Sequence, residues 1–121
     1  MTSTPEADFE TMIADAVNAL PEQIRAKIKN VAFLIDAEKR GNLLGLYHGL
    51  PNPLKPFAPN ALPDTITIYQ RVVETEAKRL GEPVAKAAKR VVWHEIGHYF
   101  GFGEKKIREL EKKWEKDKRL E

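Results

Sequence analysis

The chain has 121 residues, of which 42% are hydrophobic, a formal net charge of +2 and no cysteine. That length suits one domain, spanning residues 1–121, with a modest core. The lack of cysteine rules out a disulfide framework and a Cys-ligated zinc. No run of roughly 18 apolar residues marks a membrane span, and the stretch from Met1 to Glu6 lacks the basic and apolar regions of a signal peptide, so the expected location is cytoplasmic.

Thr4 reads as an N-cap with Pro5 at the first helical position. Phe9, Met12, Ile13, Ala16, Val17 and Leu20 come next at helical spacing and predict an amphipathic helix. Its polar face carries Glu6, Asp8, Glu10 and Asp15, which favours core packing over a membrane-surface role. Pro21 opens a short second helix with Ile24 and Ile28 facing inward. Val31 to Asp36 is a short apolar run and reads as a buried strand. A polar turn from Glu38 to Asn42 leads to a second strand, Leu43 to His48, in which Gly45 marks a bulge or a close backbone approach.

Five of the eight prolines fall between residues 50 and 63. No helix or central strand survives that density, so the segment reads as a stiff loop anchored by Leu54 and Phe57, on the same side as the histidine pair of the fourth helix. Thr65 to Tyr69 alternates β-branched and aromatic residues and is the clearest strand. Val72 to Leu80 reads as a helix stopped by Gly81.

A fourth helix begins at about Glu82 or Pro83. Val84, Ala85, Ala88, Val92, Ile96 and Tyr99 form one wide apolar face, and Ala87, Val91, His94, Glu95 and His98 occupy the adjacent one. Lys86 and Arg90 fall on the far side with Trp93 and Gly97. His94 and His98, four apart, stack one turn from each other, and two imidazoles so placed can hold one Zn²⁺ at about 2.0–2.1 Å per nitrogen. Glu95 lies on the same side, close enough to reach a metal-bound water but poorly placed as a ligand. This is the H-E-x-x-H arrangement, in which the Glu serves as the general base of a metal-dependent hydrolase.

Gly101 sits where a left-handed residue closes a helix, and the chain then passes Gly103 to Glu104. From His94 the run is H-E-x-x-H-x-x-G-x-x-E. A chain bent back at Gly101 brings Glu104 to the metal as a third ligand and leaves one position open, as a catalytic zinc needs. The other reading of Glu104 is an acid in the first turn of the next helix, favoured by the helix dipole. That last helix runs from about Glu104 to Lys118, with Ile107, Leu110 and Trp114 as a narrow apolar seam.

These features resemble the small bacterial zincin-like metallopeptidases, a minimal version of the matrix-metalloprotease-like domain. The resemblance rests on Ala19-Leu20-Pro21, Asn30-Val31-Ala32, Leu44 to Gly49, Leu62 to Tyr69, and the motif from His94 through Gly101. It implies an α+β zincin-like fold, a small mixed sheet of about three strands packed against helices that include the motif helix. It further implies a zinc site with His94 and His98 as ligands and Glu95 as base. Members tend to carry more than one acid after the motif glycine, whereas here Glu104 stands alone after Gly103. Glu104 is then the natural third ligand, with a water or a looser ligand as the alternative. The larger metzincins have a Met-containing turn under the metal, and this chain has only Met1 and Met12.

The expected activity is zinc-dependent hydrolysis of peptide bonds in a peptide or protein substrate by a monomer, with Glu95 activating the water. Tyr69, Tyr47, His48 and Tyr99 are candidates to steady the oxyanion. The Thr65–Tyr69 strand or the Leu43–His48 strand is expected to hold the substrate backbone at a sheet edge. Two alternatives stand beside this reading: a metal-binding or protein-interaction module on the same fold with little or no catalysis, and a metal-dependent RNA hydrolase. Glu95 argues against the first, and Glu95 together with Glu104 against the second. Residues 78–121 carry 13 Lys or Arg against 8 Asp or Glu. A solvated helix face with i,i+4 pairs such as Glu109 with Lys113 accounts for that excess better than a nucleic-acid partner does.

Overall fold

The computed structural model describes residues 4–38, 41–49 and 63–120, with side chains as far as residue 116. The elements in order are α1 (Glu6–Asn18), α2 (Glu22–Arg25), β1 (Val31–Asp36), β2 (Gly45–His48), β3 (Asp64–Tyr69), α3 (Gln70–Leu80), α4 (Val84–Tyr99) and α5 (Glu104–Leu120). The architecture is α+β, as expected. The proline-rich segment with Leu54 and Phe57 lies outside the described residues.

Three strands form one mixed sheet in the order β1-β3-β2. β3 runs parallel to β1, with Phe33 opposite Ile66, and antiparallel to β2, with Tyr47 opposite Ile66. Along β3 the residues alternate strictly: Asp64, Ile66 and Ile68 are buried, and Thr65, Thr67 and Tyr69 are half-buried. Paired on both sides, β3 is the central strand, which corrects the expectation that it could serve as the substrate-holding edge. Period-2 alternation reports a strand with one covered face and carries no information on its neighbours. β1 is also less buried than its apolar run suggests. It lies at one side of the sheet, with Leu34 48% exposed.

The helices cover the Ile66–Ile68 face. In α1 the buried residues are Phe9, Ile13 and Ala16, the stripe that its spacing predicts. Its start differs. Pro5, not Thr4, occupies the N-cap position, and no side chain caps the helix. Thr4 is held by α3 instead: its N–H donates to Glu74 Oε2 at 2.7 Å and its carbonyl accepts from Gln70 Nε2 at 2.7 Å. Pro83 is likewise the N-cap of α4 rather than its first residue.

The largest departure concerns α4. Trp93 and Gly97, expected on the polar far side, are buried, while Ala85 is exposed. Two partners cover that side. Trp93 Nε1 donates to the Ala16 carbonyl of α1 at 2.8 Å, and the Trp93 and Trp114 rings meet edge to face with centroids 6.1 Å apart. Ile107 of α5 rests on Gly97 so closely that a Cβ there would lie 2.5 Å from Ile107 Cγ1. Ile107 and Trp114 are buried, as the seam predicts. Above Trp93, Lys89 Nζ donates to Glu115 Oε2 at 2.8 Å and lies 4.5 Å from the ring, so Glu115 ties α5 to α4.

Candidate metal centre

His94 and His98 project from the last two turns of α4, their rings 4.9 Å apart and nearly perpendicular. The turn after the helix decides the third group. Phe100 stays right-handed and Gly101 turns left-handed, with φ of 86°. The Phe102 N–H then bonds to the Gly97 carbonyl at 3.1 Å and the Gly101 N–H to the His98 carbonyl at 2.8 Å. These are the two bonds of a Schellman closure, and a left-handed residue at that place is nearly free of strain only as glycine. Two residues later α5 begins with Glu104, whose side chain folds back over the imidazoles.

His94 Nε2 lies 3.0 Å from Glu104 Oε2 and 3.2 Å from Oε1, and His98 Nε2 lies 3.0 Å from Oε1. One ligand atom from each of the three residues falls within 4.8 Å of the others. Ligand atoms about 2.0–2.1 Å from a tetrahedral zinc are separated by about 3.3 Å, and the 3.0 and 3.2 Å separations between Glu104 and the two imidazoles are close to that spacing. Glu104 is a first-turn acid whose carboxylate also faces both histidines, so the two readings of it do not exclude each other. Burial works to raise its pKa, but the two imidazoles outweigh that and hold it below the usual carboxylate range.

Glu95 lies deeper, 7% exposed. Its Oε1 accepts the Tyr47 backbone N–H at 3.0 Å. Burial pushes its pKa up, against the pull of His98, His94 and that N–H. The contact exists because β2 presses on α4 at Gly45, where a Cβ would lie 2.8 Å from Val91 Cγ1 and 3.1 Å from Glu95 Cγ. The close approach expected at Gly45 is present. His94, Glu95, His98 and Glu104 line one cleft of about 550 Å³ with Leu43, Gly45, Leu46, Tyr47 and Phe102.

The candidates for the oxyanion are dispersed. The Tyr47 hydroxyl donates to the buried Asp64 Oδ2 at 2.5 Å, and burial together with that bond raises its pKa well above the ordinary phenol value. The Tyr99 hydroxyl is engaged by the Lys29 backbone, accepting from its N–H at 3.1 Å and donating to its carbonyl at 3.0 Å. Tyr69 and His48 are not among the described residues that line the cleft.

A family model described as zincin-like metallopeptidase matches residues 14–114. The chain belongs to the zincin-like metallopeptidase family. No curated protein matches it. Membership points to a metal-dependent peptidase as the general class, with zinc the usual ion, and the donors gathered here agree with both. No described helix of the chain is long and apolar enough to cross a membrane.

One acid at the site was not singled out in the sequence. Glu111 of α5 places Oε1 3.6 Å from His94 Nδ1, on the ring edge opposite Glu104. Burial pushes its pKa up, with His94 and Arg90 opposing. In the sequence it falls in the Lys-rich stretch that reads as a solvated helix face. The available signal was phase: Glu111 lies seven residues after Glu104, two turns along one helix face.

Proposed function

We propose that the protein is a zinc-dependent peptidase that hydrolyses peptide bonds, with His94, His98 and Glu104 as the zinc ligands and Glu95 as the general base. The observation that carries this reading is the convergence of both Nε2 atoms and the Glu104 carboxylate on one point, inside a cleft that Glu95 also lines. A zinc ion held there supplies Lewis acidity, which acidifies water and polarises a carbonyl. Glu95 takes a proton from the attacking water and delivers it to the leaving amine. Its burial makes it a stronger base than an exposed carboxylate, and the Tyr47 N–H keeps one oxygen fixed while the other is left for the proton.

The expected substrate is an extended peptide laid along β2. Leu44 directs its carbonyl to β3, accepting from the Tyr69 N–H at 3.0 Å, so alternation turns the polar groups of Gly45 and Tyr47 away from the sheet. The Tyr47 N–H is committed to Glu95, and the Gly45 N–H and the Gly45 and Tyr47 carbonyls face the edge of β2 that no described strand pairs, beside the histidines. Strand addition there places the substrate backbone against the metal site.

The test has two stages. Elemental analysis of purified wild type should find about one zinc per chain, lost in His98→Ala and reduced in Glu104→Ala. Incubation with an unfolded protein, with and without chelator, should then show zinc-dependent cleavage that Glu95→Gln loses while keeping its metal. Zinc without cleavage would leave the interaction-module reading, and cleavage of structured RNA in place of protein would make the chain a nuclease.

A further inference from the structure

We infer that Glu111 is a positioning residue of the metal site: its carboxylate holds the proton of His94 on Nδ1 and so presents the Nε2 lone pair to the metal. The inference rests on the ligand set proposed above and adds what prepares one of its members.

The two edges of the His94 ring face two acids from the same helix. Nε2 meets Glu104 at 3.0 and 3.2 Å, and Nδ1 faces Glu111 Oε1 at 3.6 Å. A neutral imidazole carries one N–H, and only the bare nitrogen can bind a metal. Two tautomers thus compete in the metal-free protein. A proton on Nε2 would point at Glu104 and block the ligand position. A proton on Nδ1 points at Glu111 and leaves Nε2 free.

The state of Glu111 favours the second arrangement. Its Oε1 is shielded from solvent and has no hydrogen-bond partner among the described residues. Buried carboxylate oxygens without donors are costly, and structures seldom leave them so. His94 Nδ1 is the donor position that stands opposite it. At 3.6 Å the pair is about half an ångström longer than a good N–H···O bond.

The fold makes the arrangement economical. Seven residues separate Glu104 from Glu111, so α5 delivers one acid to the front of the ring and the other to its back. The Gly97–Ile107 contact sets the distance of both from α4. A carboxylate behind a ligating histidine fixes its tautomer and orientation, and loss of such a partner weakens metal binding by about 10- to 100-fold.

Glu111→Ala and Glu111→Gln in the full chain test the inference. Zinc affinity is read by competition with a chromophoric chelator, and the His94 tautomer by long-range ¹H–¹⁵N NMR of the metal-free protein at about pH 8.5, two units above the reference value for a free imidazole. We expect Nδ1–H at His94 in wild type and a shift towards Nε2–H in Glu111→Ala. Zinc dissociation constants should rise about 10- to 100-fold in that variant. Glu111→Gln keeps an acceptor oxygen and should recover most of the affinity. The metal-free melting temperature of Glu111→Ala should not fall, which separates positioning from folding. Wild-type affinity in Glu111→Ala, or Nε2–H at His94 in the wild type, overturns the inference. So does a Gln variant as weak as the Ala variant. A wild type that takes no zinc overturns the proposed function, and the tautomer measurement still decides the role of Glu111.

Discussion

At the scale of single residues, three carboxylates around the histidine pair stand in three environments. Glu104 is exposed and held acidic by the imidazoles, which suits a ligand that must be ionised. Glu95 is buried and its pKa is raised, which suits a base. Glu111 stands behind the His94 ring, on its Nδ1 edge. The raised pKa of Glu95 has a consequence for stability. In the folded, metal-free chain the carboxyl holds its proton more tightly than in the unfolded chain, so stability is lost as pH rises through its titration. Glu95→Gln keeps an oxygen for the Tyr47 N–H and carries no charge to desolvate. We expect it to raise the metal-free melting temperature by about 2–5 °C at pH 7. The gain should vanish towards pH 4, where both side chains are neutral. Thermal scans across that range in chelator check this; a variant less stable than wild type at pH 7 would mean that the ionised carboxylate is well accommodated.

At the scale of elements, α4 and α5 work as one unit joined by a Schellman closure. Their approach depends on Gly97 having no side chain, since Ile107 fills the place of a Cβ. Gly97→Ala forces Ile107 and α5 away, an overpacking that costs about 1–3 kcal/mol. The better helix propensity of alanine offsets about 1 kcal/mol of it. The net effect on urea unfolding should therefore be modest. The effect on zinc affinity should be larger, because Glu104 and Glu111 both move with α5. A Gly97→Ala protein that binds zinc like wild type would show that the helix contact does not set the site. The same pair of helices shows the limit of periodicity. The hydrophobic spacing of α4 gave the correct helix but the wrong outer side, because Trp93 and Gly97 are covered by α1 and α5, which their immediate neighbours Lys86 and Arg90 do not report.

At the scale of the whole molecule, the proposed zinc joins the end of α4 to the start of α5, and α4 in turn lies against α1 and the β2 edge. A metal that binds only this folded arrangement stabilises it by about 2.7 kcal/mol at a free concentration 100 times its dissociation constant. For a chain of this size that raises the melting temperature by about 10 °C. Thermal unfolding in chelator and in excess zinc measures the difference; equal midpoints would count against a metal bridge between the helices. Much of the design was legible in the chain itself. The pair His94 and His98, the adjacent Glu95, the stop at Gly101 and the return to Glu104 all lie within one helix and one turn. There, spacing alone sets geometry, because 3.6 residues per turn and the left-handed freedom of glycine act locally. Strand order was decided elsewhere. Which strand is central depends on pairing between segments some thirty residues apart, and alternation along one strand is blind to it. Glu111 meets His94 only because Ile107 seats α5 on Gly97. That contact, like the burial of Trp93, is made by close packing between helices, for which the linear pattern of apolar and charged residues carries no coordinate.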